Sequence, residues 1–450
     1  MKQFLLLSIL LFFPVSSCSY SPDITGRWYG SIDMEGFNMR IVFDIKQSGY
    51  EYSATMQSPD QTKEEVAVTA VTCDNDRLVI RIDNIDFLYK GKAGRDGIIR
   101  GEFTQMGQTR QLNLSHTEIA SAIRAQEPAP PFPYRVENVT FENDEAGIRL
   151  AGTLTLPEGT DGATAVVLIS GSGPQNRNEE MMGHKPFLVL ADYLTRQGIA
   201  VLRFDDRGVE ESQGDYSKAT LADFATDVTA AVAYLKTRRE INRDKIGLIG
   251  HSEGGGIAFM LASQKVPAFV VTLAGMGVTG PELLAMQRKA LFQASGVTDE
   301  YINQFNAYMA EAQQVAVEAK SAWELREGIT RIFTGTPVEK QIEPAIQQLS
   351  SPEMVSLLQY NPAEYFKNIR CPVFALNGMR DLQVPSGENL SAILDGITAN
   401  GNKNVRTKPY FNLNHLFQTA MTGLPNEYGA IEETFNEEAL HDLSEWIKER

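Results

Sequence analysis

The chain of 450 residues has little cysteine, little histidine and a deficit of positive charge, and each shortage removes a class of function. Three cysteines are too few for a disulfide framework or a zinc cluster. Cys73 and Cys371 fall in different predicted domains, each beside a β-type run, and are expected as buried thiols. The net charge of −16 excludes the basic footprint that nucleic acid or an anionic membrane surface would need. The glycine loop Ser170-Gly171-Ser172-Gly173-Pro174 carries neither G-x-G-x-x-G nor a Walker lysine, so phosphate cradling is not indicated there. No apolar run reaches the length of a membrane span: the longest, Phe4 to Phe13, has about ten residues.

That run follows Lys2 and precedes the small residues Ser16 and Ser17, the layout of a secretory signal over residues 1–18. Val15-Ser16-Ser17-Cys18 resembles the lipobox of bacterial lipoproteins. The resemblance implies a lipidated Cys18 and an extracytoplasmic protein anchored to a bacterial membrane, on its periplasmic face or at the cell surface.

Residues 22–118 read as all β, a small barrel or sandwich. Short alternating runs (Met39 to Ile45, Tyr50 to Met56, Val66 to Val71, Leu78 to Ile82, Phe87 to Tyr89, Ile98 to Phe103, Arg110 to Leu114) are mostly separated by turn signals such as Gln47-Ser48-Gly49. Gly26-Arg27-Trp28 resembles the G-x-W signature of lipocalin-like barrels, in which the tryptophan is structural. A folded spacer or partner surface is expected here rather than chemistry. Residues 119–134 are expected to be a linker, since Ala125 to Pro133 carries four prolines in nine positions.

From residue 135 the pattern changes to strand and helix alternation, which predicts a doubly wound, mostly parallel sheet. Apolar runs at Ala165 to Ile169, Ala200 to Phe204, Ile246 to Ile249, Phe269 to Ala274 and Val373 to Leu376 have the character of strands covered on both faces. About 278–366 the strand pattern gives way to helices, predicting a cap over the C-terminal rim of the sheet.

The chemistry is concentrated at Gly250-His251-Ser252-Glu253-Gly254. A serine on a sharp strand-to-helix turn has an exposed hydroxyl, and its neighbours must be glycines to let strand and helix approach. A hydroxyl needs a base, and the chain offers five histidines. His116 lies in the β domain, His184 in a glycine-flanked loop, His251 beside the serine and His441 in a C-terminal helix. His415, in a loop after the run Val405 to Phe411, is the expected base. Asp381, in the loop after Val373 to Leu376, is the expected acid, giving the chain order serine, aspartate, histidine. Backbone N–H groups of Glu253 and of Ser172, in Ser170-Gly171-Ser172-Gly173-Pro174, are candidates for an oxyanion hole. Gln175, Arg177 and His251 are candidates for contacting substrate, and Asp205, Asp206 and Arg207 read as structural braces.

Together I-S-G-S-G-P-Q-N-R, R-F-D-D-R-G, G-H-S-E-G-G, N-G-M-R-D-L-Q-V-P and L-N-H-L-F-Q resemble the α/β-hydrolase superfamily, in particular bacterial carboxylesterases related to dienelactone hydrolases and serine aminopeptidases. The resemblance implies an α/β-hydrolase fold for residues 135–450, a Ser252, Asp381, His415 triad, an acyl-enzyme, no cofactor and a small ester as substrate. Dienelactone hydrolases carry cysteine where this chain has Ser252, so that activity is not implied. Peptidase, thioesterase or acyltransferase action on the same fold stays open, as does a non-catalytic ligand-binding lipoprotein.

Overall fold

The computed structural model describes residues 22–33, 38–60, 65–105, 108–120, 124–159 and 161–450. The predicted signal and Cys18 lie outside them. The chain divides into two compact units between Ala120 and Ser121.

The first unit is an antiparallel meander of β1 (Gly26–Asp33), β2 (Asn38–Ser48), β3 (Glu51–Gln57), β4 (Glu65–Ala67), β5 (Ala70–Asp74), β6 (Arg77–Ile82), β7 (Phe87–Ala93), β8 (Ile99–Gln105) and β9 (Gln108–Gln111). Beyond β9 the chain runs on along β8 in the same register and also reaches β1. Leu114 exchanges backbone hydrogen bonds with Ile99 at 2.9 and 2.8 Å, and Ser115 does so with Tyr29 at 2.7 and 2.9 Å. The sheet therefore closes on itself, which removes its free edges. Alternate residues point inward: Leu78, Ile80 and Ile82 of β6 are fully buried beside Phe43, Tyr89 and Ile99. Trp28 is buried, and its indole N–H donates to the Ile24 carbonyl at 2.8 Å, so the polar end of the ring is satisfied.

The run Val66 to Val71, read from the sequence as one strand, is two. Val68 N–H donates to Ala54 of β3, whereas Thr69 N–H donates to Arg81 of β6. The chain changes partner between these residues, and that break depends on neighbours distant in sequence.

In the second unit, Arg124 donates to the Gly429 carbonyl at 2.6 Å and Gln126 to the Phe435 carbonyl at 2.8 Å, while Glu127 pairs with Lys185. The proline-rich segment is thus held to this unit from Arg124 onward. The sheet contains β10 (Tyr134–Asn143), β11 (Ile148–Pro157), β12 (Ala163–Ile169), β13 (Ala200–Phe204), β14 (Ile241–His251), β15 (Val270–Leu273), β16 (Val373–Gly378) and β17 (Val405–Tyr410). Its order is β10-β11-β13-β12-β14-β15-β16-β17. β10 and β11 are antiparallel, and the six strands from β13 onward run parallel.

Continuous apolar runs are explained by helices on both faces. Along β12, Val166 and Leu168 pack with α1 (Pro186–Arg196) and α11 (Glu437–Lys448), while Ala165, Val167 and Ile169 pack with α2 (Leu221–Thr237), α3 (Glu253–Ser263) and α10 (Ser386–Thr398). Each buried leucine, isoleucine or valine in these layers contributes about 1.5–3 kcal/mol relative to exposure. Between β15 and β16 come α4 (Gly280–Ala294), α5 (Asp299–Glu318), α6 (Ala322–Phe333), α7 (Ile342–Leu349), α8 (Pro352–Leu358) and α9 (Pro362–Phe366). Side-chain caps at Thr298, Ser321, Ser351 and Asn361 start four of them. No helix among the described residues is long and apolar enough to cross a membrane.

Candidate active site

β14 delivers its C-terminal end to the middle of the sheet, and Ser252 follows it directly. Ser252 has φ 53° and ψ −118°, a region costly to a side-chain-bearing residue by about 1–3 kcal/mol. The turn is locked from both sides. Its N–H donates to Leu273 of β15 at 2.8 Å, and its carbonyl accepts from Gly255 at 3.0 Å. A Cβ at Gly250 would lie 2.1 Å from the Gly254 carbonyl oxygen, and one at Gly254 would lie 2.3 Å from that of Ile169. The two flanking glycines are therefore required by the close approach of strand, helix and β12.

The loop after β16 carries Asp381, whose side chain is fully buried. Its Oδ1 accepts the N–H groups of Gln383 and Val384 at 2.8 and 2.9 Å, leaving Oδ2 to pair with His415 Nδ1 at 2.8 Å. The loop after β17 is shaped by Asn414, whose Oδ1 accepts from Leu416 and Gln418 at 3.0 and 2.9 Å. His415 is consequently fixed by its loop and by Asp381. Ser252 and His415 line one cavity of about 380 Å³, and Leu284 and Gln287 of α4 and Glu353, Met354 and Leu357 of α8 close its other side.

The loop after β12 has an instructive division of donors. Gly171 N–H donates to Glu179 at 2.8 Å and Gly173 N–H to Glu353 at 3.1 Å. Between them the Ser172 N–H has no acceptor among the described residues. Glu253 begins α3, so its N–H likewise lacks a helical partner. Ser172 and Glu253 both border the cavity. Asp206 braces this loop, accepting from the Ser170 hydroxyl at 2.8 Å and Gln175 N–H at 2.9 Å. Burial pushes the Asp206 carboxyl up to about 8.

Gln175 reaches the cavity wall. Arg177 does not: its guanidinium is bound to Asp205 at 2.5 Å and to Glu211 at 2.9 Å, and it is absent from the lining. The expectation that Arg177 holds substrate is thereby corrected, because Asp205 claims it. Arg207 pairs with Asp227 at 2.7 Å, away from Ser252. His251 borders the cavity, but both ring nitrogens are engaged inside the protein, by Glu179 at 2.8 Å and the His415 carbonyl at 2.9 Å. His184 is wholly buried between Thr434 and the Tyr428 carbonyl.

Two acids were not found from sequence. Glu179 sits in a loop without periodicity, in left-handed backbone with φ 51°, and only the folded chain brings it to His251. Glu353 arrives on α8, where it also accepts from the Tyr216 hydroxyl at 2.7 Å. Glu253 is buried with Oε2 lacking any partner among the described residues. Burial, reinforced by Glu353 and Asp206, raises its pKa well above the carboxylate range.

Comparison with known proteins gives four findings. The family profile described as X-Pro dipeptidyl-peptidase (S15 family) matches residues 146–410, which include Ser252 and Asp381 and end five residues before His415. Esterase EstD of Thermotoga maritima is 24% identical over 405 residues, covering 86% of this chain and 88% of that protein. Bovine mitochondrial palmitoyl-protein thioesterase ABHD10 is 25% identical over 203 residues, covering 44% of this chain and 52% of that protein. Among solved structures, the Pyrococcus furiosus esterase Pf2001 aligns over 74% of this chain and 98% of its own, at 18% identity and a TM-score of 0.44.

Proposed function

Since this chain belongs to the X-Pro dipeptidyl-peptidase (S15) family and is a hydrolase of the α/β-hydrolase superfamily, we propose that it is a serine hydrolase that cleaves small carboxylic esters through an acyl-enzyme on Ser252. The observation that carries the reading is that His415, paired with Asp381, borders the same cavity as a strained elbow serine. Likeness to EstD over nearly the whole chain supports ester substrates.

In this mechanism neutral His415 takes the Ser252 proton as Oγ attacks the ester carbonyl. Asp381 holds Nδ1–H and so presents Nε2 to the serine. Negative charge on the carbonyl oxygen is met by the N–H groups of Ser172 and Glu253, the latter at the positive end of α3. His415 then protonates the departing alcohol, and water repeats the sequence to release the acid. Gln175 remains available to a polar part of the substrate, whereas Arg177 is not. We further propose that the chain is exported and anchored through Cys18, with the β unit serving as a folded spacer or partner surface.

A second reading, peptidase action, is favoured by one observation. Glu253 Oε2 has no partner among the described residues, and a substrate ammonium would find acceptors beside it in Glu253, Glu353 and Asp206. A panel of p-nitrophenyl acyl esters and aminoacyl p-nitroanilides tests both. Turnover of simple acyl esters, lost in Ser252→Ala, supports the first reading; turnover confined to free-amine substrates would replace it with the second.

A further inference from the structure

The site holds a second histidine–carboxylate pair, and its proton count follows from its geometry. His251 Nε2 lies 2.9 Å from the backbone carbonyl oxygen of His415, which can only accept, so Nε2 carries a proton. His251 Nδ1 lies 2.8 Å from Glu179 Oε1, and that same oxygen accepts the Gly171 N–H at 2.8 Å. This contact also needs a proton. An imidazole is the stronger base of the two, and an oxygen already accepting an N–H favours its ionised form, so the proton resides on Nδ1.

We propose that His251 and Glu179 form a buried imidazolium–carboxylate pair that positions the oxyanion loop and the His415 loop as one unit. The pair reaches both through direct bonds: Glu179 holds Gly171, the residue before Ser172, and His251 holds the backbone of His415 itself. Its own ring lies 4.7 Å from the His415 ring, centroid to centroid. Both members are buried, His251 to 6% and Glu179 to 4% exposure, so water does not compete for these bonds. Glu179 is held in left-handed backbone to make this reach, a local cost that the pair offsets. His251 and Glu179 are positioning residues here: both His251 ring nitrogens and Glu179 Oε1 are engaged inside the protein.

The groups facing His251 are Glu179 from the loop before α1, Asp381 and His415 from the loops after β16 and β17, and Glu253 at the start of α3. Burial opposes its charge, but the Glu179 carboxylate, its hydrogen bond and the His415 carbonyl outweigh burial and raise the histidine pKa. A raised pKa places the working form below it. The arrangement is lost as the pH rises through the raised value, which gives activity an alkaline limb.

The inference rests on the serine-hydrolase reading of the site, and the test separates the two. Ring nitrogens of wild-type protein labelled with ¹⁵N-histidine, assigned with His251→Gln, are expected to show both His251 nitrogens protonated near neutral pH. A bare ring nitrogen on His251 would overturn the inference and needs no variant to fold. In Glu179→Gln the amide keeps the shape and the Gly171 bond but loses the charge. Its kcat is expected to fall about tenfold to a hundredfold, with KM little changed and the alkaline limb moved toward neutrality. Unchanged kcat and an unmoved limb would also overturn it. Activity surviving Ser252→Ala would instead defeat the serine reading, whatever the state of His251.

Discussion

The two units bury different things, and the difference locates the chemistry. The core of the first unit is mainly apolar; Trp28 satisfies its polar atom locally, and the buried Asp60 is paired with Arg40 at 2.6 Å. At the C-terminal end of the second sheet the protein buries Glu179, Asp206, His251, Glu253, Asp381 and His415 within a few loops. Burying a polar group costs free energy unless it is matched, so such a concentration persists only where it has a use. The first unit is built to be stable, and the second gives up stability to hold charge in place.

The largest expected effect tests the second half of that contrast. Ser252→Ala should lower kcat on the order of 10⁶-fold while circular dichroism and Tm stay near wild type, because the hydroxyl supports nothing structural. Asp381→Asn should cost about 10⁴-fold in kcat, measured on the same ester, since the amide no longer fixes the working tautomer of His415. Trp28→Ala should do the reverse. Chemical denaturation followed by a probe in the β unit should show a loss of about 3–5 kcal/mol, with kcat unchanged; a large drop in kcat would mean that the units do not divide labour in this way.

The smallest effect concerns a histidine of the second unit that takes no part in the reaction. Burial, assisted by Arg124, lowers the His184 pKa from 6.5 to about 4. Folding therefore excludes a proton that the unfolded chain binds. Stability on this account is complete above about pH 6.5 and is lost as pH falls toward 4, by about 3 kcal/mol in all. Denaturation midpoints across that range should flatten in His184→Gln, with the remaining slope due to other groups.

What could be read from sequence follows the same division. Central strands of the second sheet stand out because burial on both faces makes them continuously apolar, as in Ala165 to Ile169; Ser252 and Asp381 follow two such strands, β14 and β16, whereas His415 follows the partly exposed edge strand β17. The elbow was legible because its serine and flanking glycines fall within five residues, although Gly254 is required by its approach to Ile169 of β12. Glu179 was not, because its partners Gly171 and His251 lie 8 and 72 residues away and nothing in its own neighbourhood signals them. Arg177 was misread for the same reason: its proximity in sequence to the Ser172 loop was visible, but the competing claim of Asp205, 28 residues on, was not. The break between β4 and β5 likewise depends on β3 and β6, not on the residues at the break.

The claim on which the account turns is that Ser252 is a nucleophile activated by its setting. Labelling the full chain with a fluorophosphonate probe, followed by peptide mass spectrometry, tests it most directly. The account predicts one adduct, on Ser252, that disappears in Ser252→Ala and is strongly slowed in Asp381→Asn. An adduct on another residue, or esterase activity that persists without modification of Ser252, would contradict it.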